Sequence, residues 1–199
     1  MEGLEKRHGG VQRTTKETDI DLTLFIDGKG KTRIDTGVPF LDHMLTLFGV
    51  HGFFDLEIKA SGDTDVDDHH TVEDIGICLG QAFAQALGEK SGIARYGLCY
   101  LPMDETLVRV VVDVSNRPYL HYEADVPDQK LGTFDTALAH EFMRAFAQHA
   151  GVTLHVDLLH GMNSHHIIEA VFKGLGRTMN QAVARLDNFE GTLSSKGIL

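Results

Sequence analysis

The spacing of apolar positions changes at regular intervals along the chain, and each change predicts an element. From 17 to 26, Thr18, Ile20, Leu22, Leu24 and Ile26 alternate with polar residues, the period of a half-buried strand. Asp27-Gly28-Lys29-Gly30 supplies turn residues, and a second strand is predicted over 31–36. Gly37-Val38-Pro39 breaks it. Beyond the break, apolar residues at 40, 41, 44, 45, 47 and 48 define a helical face, with Asp42 and His43 at its start. A strand follows at 54–60 and an acidic loop at 61–68. In the next segment Val72, Ile75, Leu79, Ala82, Phe83 and Ala86 keep helical spacing until Gly88.

The order then recurs. Strands at 107–114 and 119–124, joined by Ser115-Asn116-Arg117-Pro118, precede a helix at about 134–150 and a strand at 152–158. A last helix runs from the His165-His166 pair to about 186. Setting 69–87 against 165–183 without a gap gives seven identities, at His, His, Glu, Leu, Gly, Gln and Ala. Upstream, Leu56 and Ile58 match Leu154 and Val156 at an offset of 98, which places His43 opposite Glu141 and Phe48 opposite Phe146. One gap would pair His43 with His140 instead. The period is too long for a solenoid. It predicts an α+β fold of two internally duplicated β-β-α-β-α halves, about 11–92 and 93–186, with sheets and helices layered in one domain. Residues 1–10 read as a disordered start, and 187–199 as a tail able to close over a site.

A hydrophobic content of 42% supports a real core, while a formal charge of -11 argues against a nucleic-acid surface and leaves only local basic pockets for an anion. The start is charged and apolar-poor, and no run approaches a membrane span, so neither secretion nor a membrane partner is expected. Cys78 and Cys99 lack metal-finger or redox spacing, which suits a reducing, cytoplasmic setting.

Histidine is the outlier, with twelve residues, four of them in the two adjacent pairs of His69-His70-x-x-Glu73 and His165-His166-x-x-Glu169. In each motif the first His and the Glu share a helical face, while the second His is turned by roughly 100° toward a different site. His43, His69, His70, Glu73, Glu141 (or His140), His165, His166 and Glu169 make a sulfur-free donor set that divides equally between two pseudo-equivalent ions. Such sulfur-free ligation suits Mn, Fe, Co, Ni or Zn, and a mixed nitrogen and oxygen set with positions left open favours a six-coordinate ion such as Mn2+ over a closed structural zinc. Arg95, Arg117 and Lys196 lie beside turn or tail residues with Gly, Asn or Ser donors and are the cations for an anionic group. A two-metal lyase, a dinuclear hydrolase and a metal-stapled structural oligomer could each use this inventory.

Arg13-x-Thr15-x-Glu17-Thr18, Phe40-Leu41-Asp42-His43-Met44, the block 68–74, Ser115-x-Arg117-Pro118 and the block 163–173 together resemble the imidazoleglycerol-phosphate dehydratase family of histidine biosynthesis, in its single-function form. Ser194-Ser195-Lys196-Gly197 is similar to that family's ending. The resemblance implies a lyase that eliminates water from imidazoleglycerol phosphate, with two Mn2+ per active site. It also implies a homo-oligomer of twenty-four subunits whose metals join neighbouring chains. Under it, Glu17 contacts the substrate and removes its C2 proton, and Glu73 and Glu169 move protons at the leaving hydroxyl while ligating metal. His43 lies against the substrate, and Arg95, Arg117, Ser194 and Lys196 hold its phosphate. The order His140-Glu141 departs from the Glu-His order of some members.

Overall fold

A computed structural model describes residues 6–199. The alternation along 18–25 buries Ile20, Leu22 and Leu24, leaves Asp19 and Asp21 exposed, and becomes the second strand. In order, the first half runs β1 (His8–Thr14), β2 (Thr18–Phe25), β3 (Thr32–Asp35), α1 (Pro39–Gly52), β4 (Asp55–Gly62) and α2 (His69–Leu87). The second half runs β5 (Tyr96–Met103), β6 (Thr106–Asp113), β7 (Tyr119–Glu123) and the short β8 (Lys130–Leu131) and β9 (Phe134–Asp135). It ends with α3 (Leu138–Ala150), β10 (Thr153–His160) and α4 (Ser164–Val183).

The duplication is visible in the topology. One sheet has the order β1-β2-β4-β3 and the other β5-β6-β10-β7. In each, the second and third strands of the half are separated in the sheet by the strand that follows the first helix. That strand pairs antiparallel on one side and parallel on the other. Registers agree as well, with Leu22 opposite Ile58 in one sheet and Val110 opposite Val156 in the other. α2 covers the first sheet and α4 the second, and the helices pair across the middle as α1 with α4 and α2 with α3. The result is a sheet, two helical layers and a second sheet.

Close helix approach depends on equivalent glycines. A Cβ on Gly80 of α2 would lie 2.8 Å from the carbonyl oxygen of Phe146, and one on Gly176 of α4 would lie 2.4 Å from that of Phe48. Phe48 and Phe146, set opposite each other by the ungapped register, meet at 6.5 Å between ring centroids in a cluster completed by Phe54 and Phe83. All four are fully buried, and each contributes roughly 1.5–3 kcal/mol of burial free energy.

Several expectations are corrected. Of the predicted disordered start, residues 1–5 lie outside the described residues, but His8, Gly9 and Gly10 belong to β1, where His8 pairs with Phe25. The start reads as frayed because it is charged and apolar-poor, yet the helix behind it requires that its Gly9 lack a side chain. A Cβ on Gly9 would lie 2.1 Å from the carbonyl oxygen of Ala82, and one on Gly97 in β5 would lie 2.1 Å from that of Thr178. Each four-stranded sheet therefore has a strand more than predicted. β5 escapes the alternation because its outward residues Tyr96, Leu98 and Tyr100 are themselves large and apolar.

The turn at 27–30 does not make a hairpin of β2 and β3. Asp55, at the start of β4, accepts from the backbone N–H of Lys29 and Lys31 at 2.8 and 3.0 Å, and β4 takes the place between the two strands. The 115–118 turn likewise leads from β6 to β7 with β10 between them. Turn chemistry marks a reversal of the chain, whereas pairing follows from which strand can bury both its edges. α3 begins at Leu138 rather than at 134, because Phe134–Asp135 is committed to a two-residue strand pairing. Among the described residues, no helix is long and apolar enough to cross a membrane.

Candidate active site

Both His-His-x-x-Glu motifs open a helix at the same end of the helical layers. Asp67 accepts from the backbone N–H of His69 at 2.8 Å, and Asn163 accepts from those of His165 and His166 at 2.9 and 3.3 Å. These short polar side chains satisfy the open N–H groups of a helix start and fix the direction in which the histidines leave it.

At the α1–α4 pair, His43 comes to rest beside His165 and Glu169. The Nε2 atoms of His165 and His43 lie 3.1 and 3.4 Å from Oε2 of Glu169. One donor atom from each of the three residues lies within 4.8 Å of the others. Glu169 is nearly buried, and its other oxygen accepts from the Lys173 ammonium one turn along. Burial alone would raise the Glu169 carboxyl, but the bonds from Lys173, His165 and His43 outweigh it and hold it ionised, below the ordinary range.

The pseudo-equivalent cluster lies at the α2–α3 pair. His69 Nε2 is 3.8 Å from Glu73 Oε2, and Arg144 of α3 bridges Glu73 and Glu141 at 2.7 and 2.8 Å. Glu141 and His69 line one cavity with Asp68. The His140 ring instead packs edge-on against Tyr122 of β7, with centroids 5.3 Å apart. Glu141 thus shares a cavity with His69, while His140 Nδ1 stays 3.4 Å from Glu141 Oε1. Among the described residues, only the α1–α4 cluster brings three donors within mutual reach, because Arg144 spaces the carboxylates of the second.

The second histidines point elsewhere, as the helical angle requires. His70 Nδ1 lies 3.1 Å from both oxygens of Asp63 and 3.9 Å from Glu17. His166 Nδ1 lies 2.7 Å from Glu105. The hydrogen bonds to Asp63 and Glu105 raise both imidazoles above their ordinary range, and the bond from His166 presses Glu105 far below that of a carboxylate. Asp74, which has no counterpart in the repeat, is tied locally to Thr18 at 2.5 Å and Arg13 at 3.0 Å.

Arg95, Arg117, Ser194 and Lys196 line a single cavity of about 1010 Å³ on the far end of the second sheet. Arg95 adopts φ +70° and is buried. It donates to both oxygens of Asp113 at 2.7 and 3.0 Å and to the carbonyl of Leu193 in the tail at 2.6 Å. Arg117 is largely exposed and stands 3.5 Å from the same aspartate. Asn116 donates to the carbonyl of Leu199 at 3.1 Å, so the tail already curls over this cavity.

Four groups around the donors escaped the sequence reading. Lys173 was accessible as the residue four beyond Glu169 on one helical face, and Arg144 as the residue three beyond Glu141. Glu105 was accessible through the repeat, since an offset of 88 sets Glu17-Thr18 against Glu105-Thr106. Asp63 carried no signal within the acidic loop.

A family model described as imidazoleglycerol-phosphate dehydratase matches residues 36–179. The imidazoleglycerol-phosphate dehydratase of Desulfotalea psychrophila is 63% identical over 195 residues, covering 98% of this chain and 98% of that protein. That of Pelobacter propionicus is 58% identical, covering 97% and 99%. Among solved structures, the Staphylococcus aureus dehydratase superposes with a TM-score of 0.82 at 45% identity, covering 90% of this chain and 99% of that one. The Pyrococcus furiosus enzyme superposes with a TM-score of 0.83 at 40% identity, covering 95% and 100%. The chain therefore belongs to the imidazoleglycerol-phosphate dehydratase family.

Proposed function

We propose that the protein is a metal-dependent hydro-lyase that removes water from imidazoleglycerol phosphate to give imidazoleacetol phosphate, a step of histidine biosynthesis in the cytoplasm. The observation that carries the reading is the paired arrangement of donors: His43, His165 and Glu169 at one helix crossing, and His69, Glu73 and Glu141 at its pseudo-equivalent. Imidazole nitrogens and ionised carboxylates without sulfur fit Mn2+, two ions to an active site. Each helix crossing carries three donor residues of one chain, already within mutual reach at the α1–α4 pair. The second histidines, His70 and His166, point away from both and are suited to complete the clusters of neighbouring copies, which would staple chains into a homo-oligomer of twenty-four.

Bound divalent ions would supply Lewis-acid stabilisation of negative charge on the substrate's imidazole and a side-chain hydroxyl. The chain's own residues supply the rest. Glu17, exposed beside His70, takes the C2 proton. Glu73 and Glu169 exchange protons at the leaving hydroxyl, and His43 packs against the substrate. Arg95 and Arg117, with Ser194 and Lys196, lie at the far end of the second sheet and would grip the phosphate of a substrate held at the donors of a neighbouring copy, keeping the reacting carbons in register while the tail 187–199 closes over them. Arg95 enters this grip already aligned by Asp113, so little side-chain order remains to be gained on binding.

The direct test is loss of water from imidazoleglycerol phosphate, followed as appearance of the ketone product. Turnover that requires Mn2+ supports the reading. Absence of turnover by the metal-loaded protein overturns it.

A further inference from the structure

The two halves diverge where each second histidine meets an acid, and the divergence assigns different tasks to two equivalent glutamates. The 88-residue offset that sets Glu17 against Glu105 also sets Gly9 against Gly97, and a Cβ on either glycine would lie 2.1 Å from a helix carbonyl oxygen. If the halves were alike, Glu105 would stand to His166 as Glu17 stands to His70. It does not. Glu105 Oε2 is 2.7 Å from His166 Nδ1, whereas Glu17 is 3.9 Å from His70 Nδ1.

The difference has a cause at the same ring nitrogen, Nδ1, in the other half. In the first half Asp63 follows β4 and holds His70 Nδ1 with both oxygens at 3.1 Å. In the second half the stretch between β10 and α4, Gly161-Met162-Asn163, contains no acid. Glu105 fills that role and is fully engaged in doing so. Its Oε1 accepts from the backbone N–H of Met162 at 3.2 Å and Asn163 at 2.8 Å and from the Thr106 hydroxyl at 3.0 Å, leaving Oε2 for the histidine.

We propose that Glu105 is a positioning residue that takes the Nδ1–H of His166 and thereby presents Nε2 as the metal donor, and that Asp63 does the same for His70, which leaves Glu17 free to act on the substrate. This rests on the two-ion reading above. A carboxylate on the far nitrogen of a ligating imidazole selects its tautomer and orientation, and its loss typically costs about 10–100-fold in metal affinity. Asp63 and Glu105 are therefore interchangeable in task though unrelated by the repeat, whereas Glu17 and Glu105 are related by the repeat but differ in task.

Glu105→Gln separates positioning from mere loop bracing. Its amide oxygen keeps the three Oε1 contacts, while its NH2 in place of Oε2 donates to Nδ1 and moves the imidazole proton to Nε2. At a pH above the folded value of His166, where that imidazole is neutral, we expect an unchanged unfolding midpoint for the metal-free protein, and in a Mn2+ titration one site per chain weakened about 10–100-fold with the other intact. In Asp63→Ala, Glu17 becomes the nearest carboxylate to His70 and is drawn onto it. There kcat should fall at least tenfold while both ions stay bound. A Glu105→Gln protein that binds two Mn2+ per chain with parental affinity overturns the proposal, as does an Asp63→Ala protein with parental kcat. If the parent itself binds fewer than two ions per chain, the two-ion reading fails instead, which the same titration shows.

Discussion

Replacing Glu17 with Gln changes one oxygen for an NH2 and removes a base without altering shape. The backbone N–H of Glu17 donates to Thr15 Oγ1 at 3.0 Å, a contact that the substitution leaves intact. Its carboxylate makes no close bond: His70 Nδ1 is 3.9 Å away and already satisfied by Asp63 at 3.1 Å. With its side chain about half exposed, Glu17 contributes little to stability, so neither folding nor metal content should move. A positioned general base contributes about 10²–10⁴ in rate. At about 1.36 kcal/mol per tenfold, that raises the barrier by about 2.7–5.4 kcal/mol. The assay is steady-state release of ketone, with bound metal measured on the same sample. We expect kcat to fall by about 10²–10⁴-fold with KM and metal content near parental values. A kcat within a few-fold of the parent would remove Glu17 from the chemistry, and a parallel loss of metal would make it a structural acid.

Other consequences follow from the fold and its charges. Gly97→Ala sets a Cβ 2.1 Å from the Thr178 carbonyl oxygen and must push β5 off α4; overpacking of this kind costs about 1–3 kcal/mol, which calorimetry should register as a drop of about 2–12 °C in Tm. Gly9→Ala should behave alike, since it repeats the same contact in the first half. Arg117→Ala should raise KM more than it lowers kcat if Arg117 mainly binds the phosphate, and equal losses in kcat and kcat/KM would assign it to the transition state. The metal-free protein should be most stable near the ordinary imidazole pKa of about 6.5. His70 and His166 have raised values in the folded state, through their bonds to Asp63 and Glu105, so their contribution is complete below that pH and lost as pH rises through the folded values. His51 and His149 are lowered by burial, and their contribution is lost as pH falls through their folded values. Metal needs neutral imidazoles, so the loaded protein should show the opposite slope above about 6.5, measurable as Tm against pH with and without Mn2+. Chelation should also dissociate the proposed homo-oligomer in light scattering.

The duplicated helix starts were legible because the candidate donor set repeats residue types at fixed spacing, and Phe48 and Phe146, matched by the same offset of 98 as Leu56 and Leu154, meet in space. The cations Arg95, Arg117 and Lys196 were legible only as separate charges beside turns; their convergence depends on the tail folding back to put Leu193 against Arg95. Strand pairing was not legible. The residues at 27–30 and 115–118 report a change of direction, while the insertion of β4 and β10 between their neighbours is decided by long-range burial of Leu56, Ile58, Leu154 and Val156. β1 and β5 were hidden for opposite reasons, the first by a charged, apolar-poor start that reads as disorder and the second by an outer face as apolar as its inner one. Glu105 was hidden because its partner His166 lies 61 positions away and only the repeat connects them.

The account stands most directly on one measurement: dehydration of imidazoleglycerol phosphate by the purified protein, first with Mn2+ bound, then after chelation, then after Mn2+ is returned. Turnover that is present, abolished and restored in that order is the predicted result. Full turnover by the chelated protein, or none by the Mn2+-loaded protein, would contradict it.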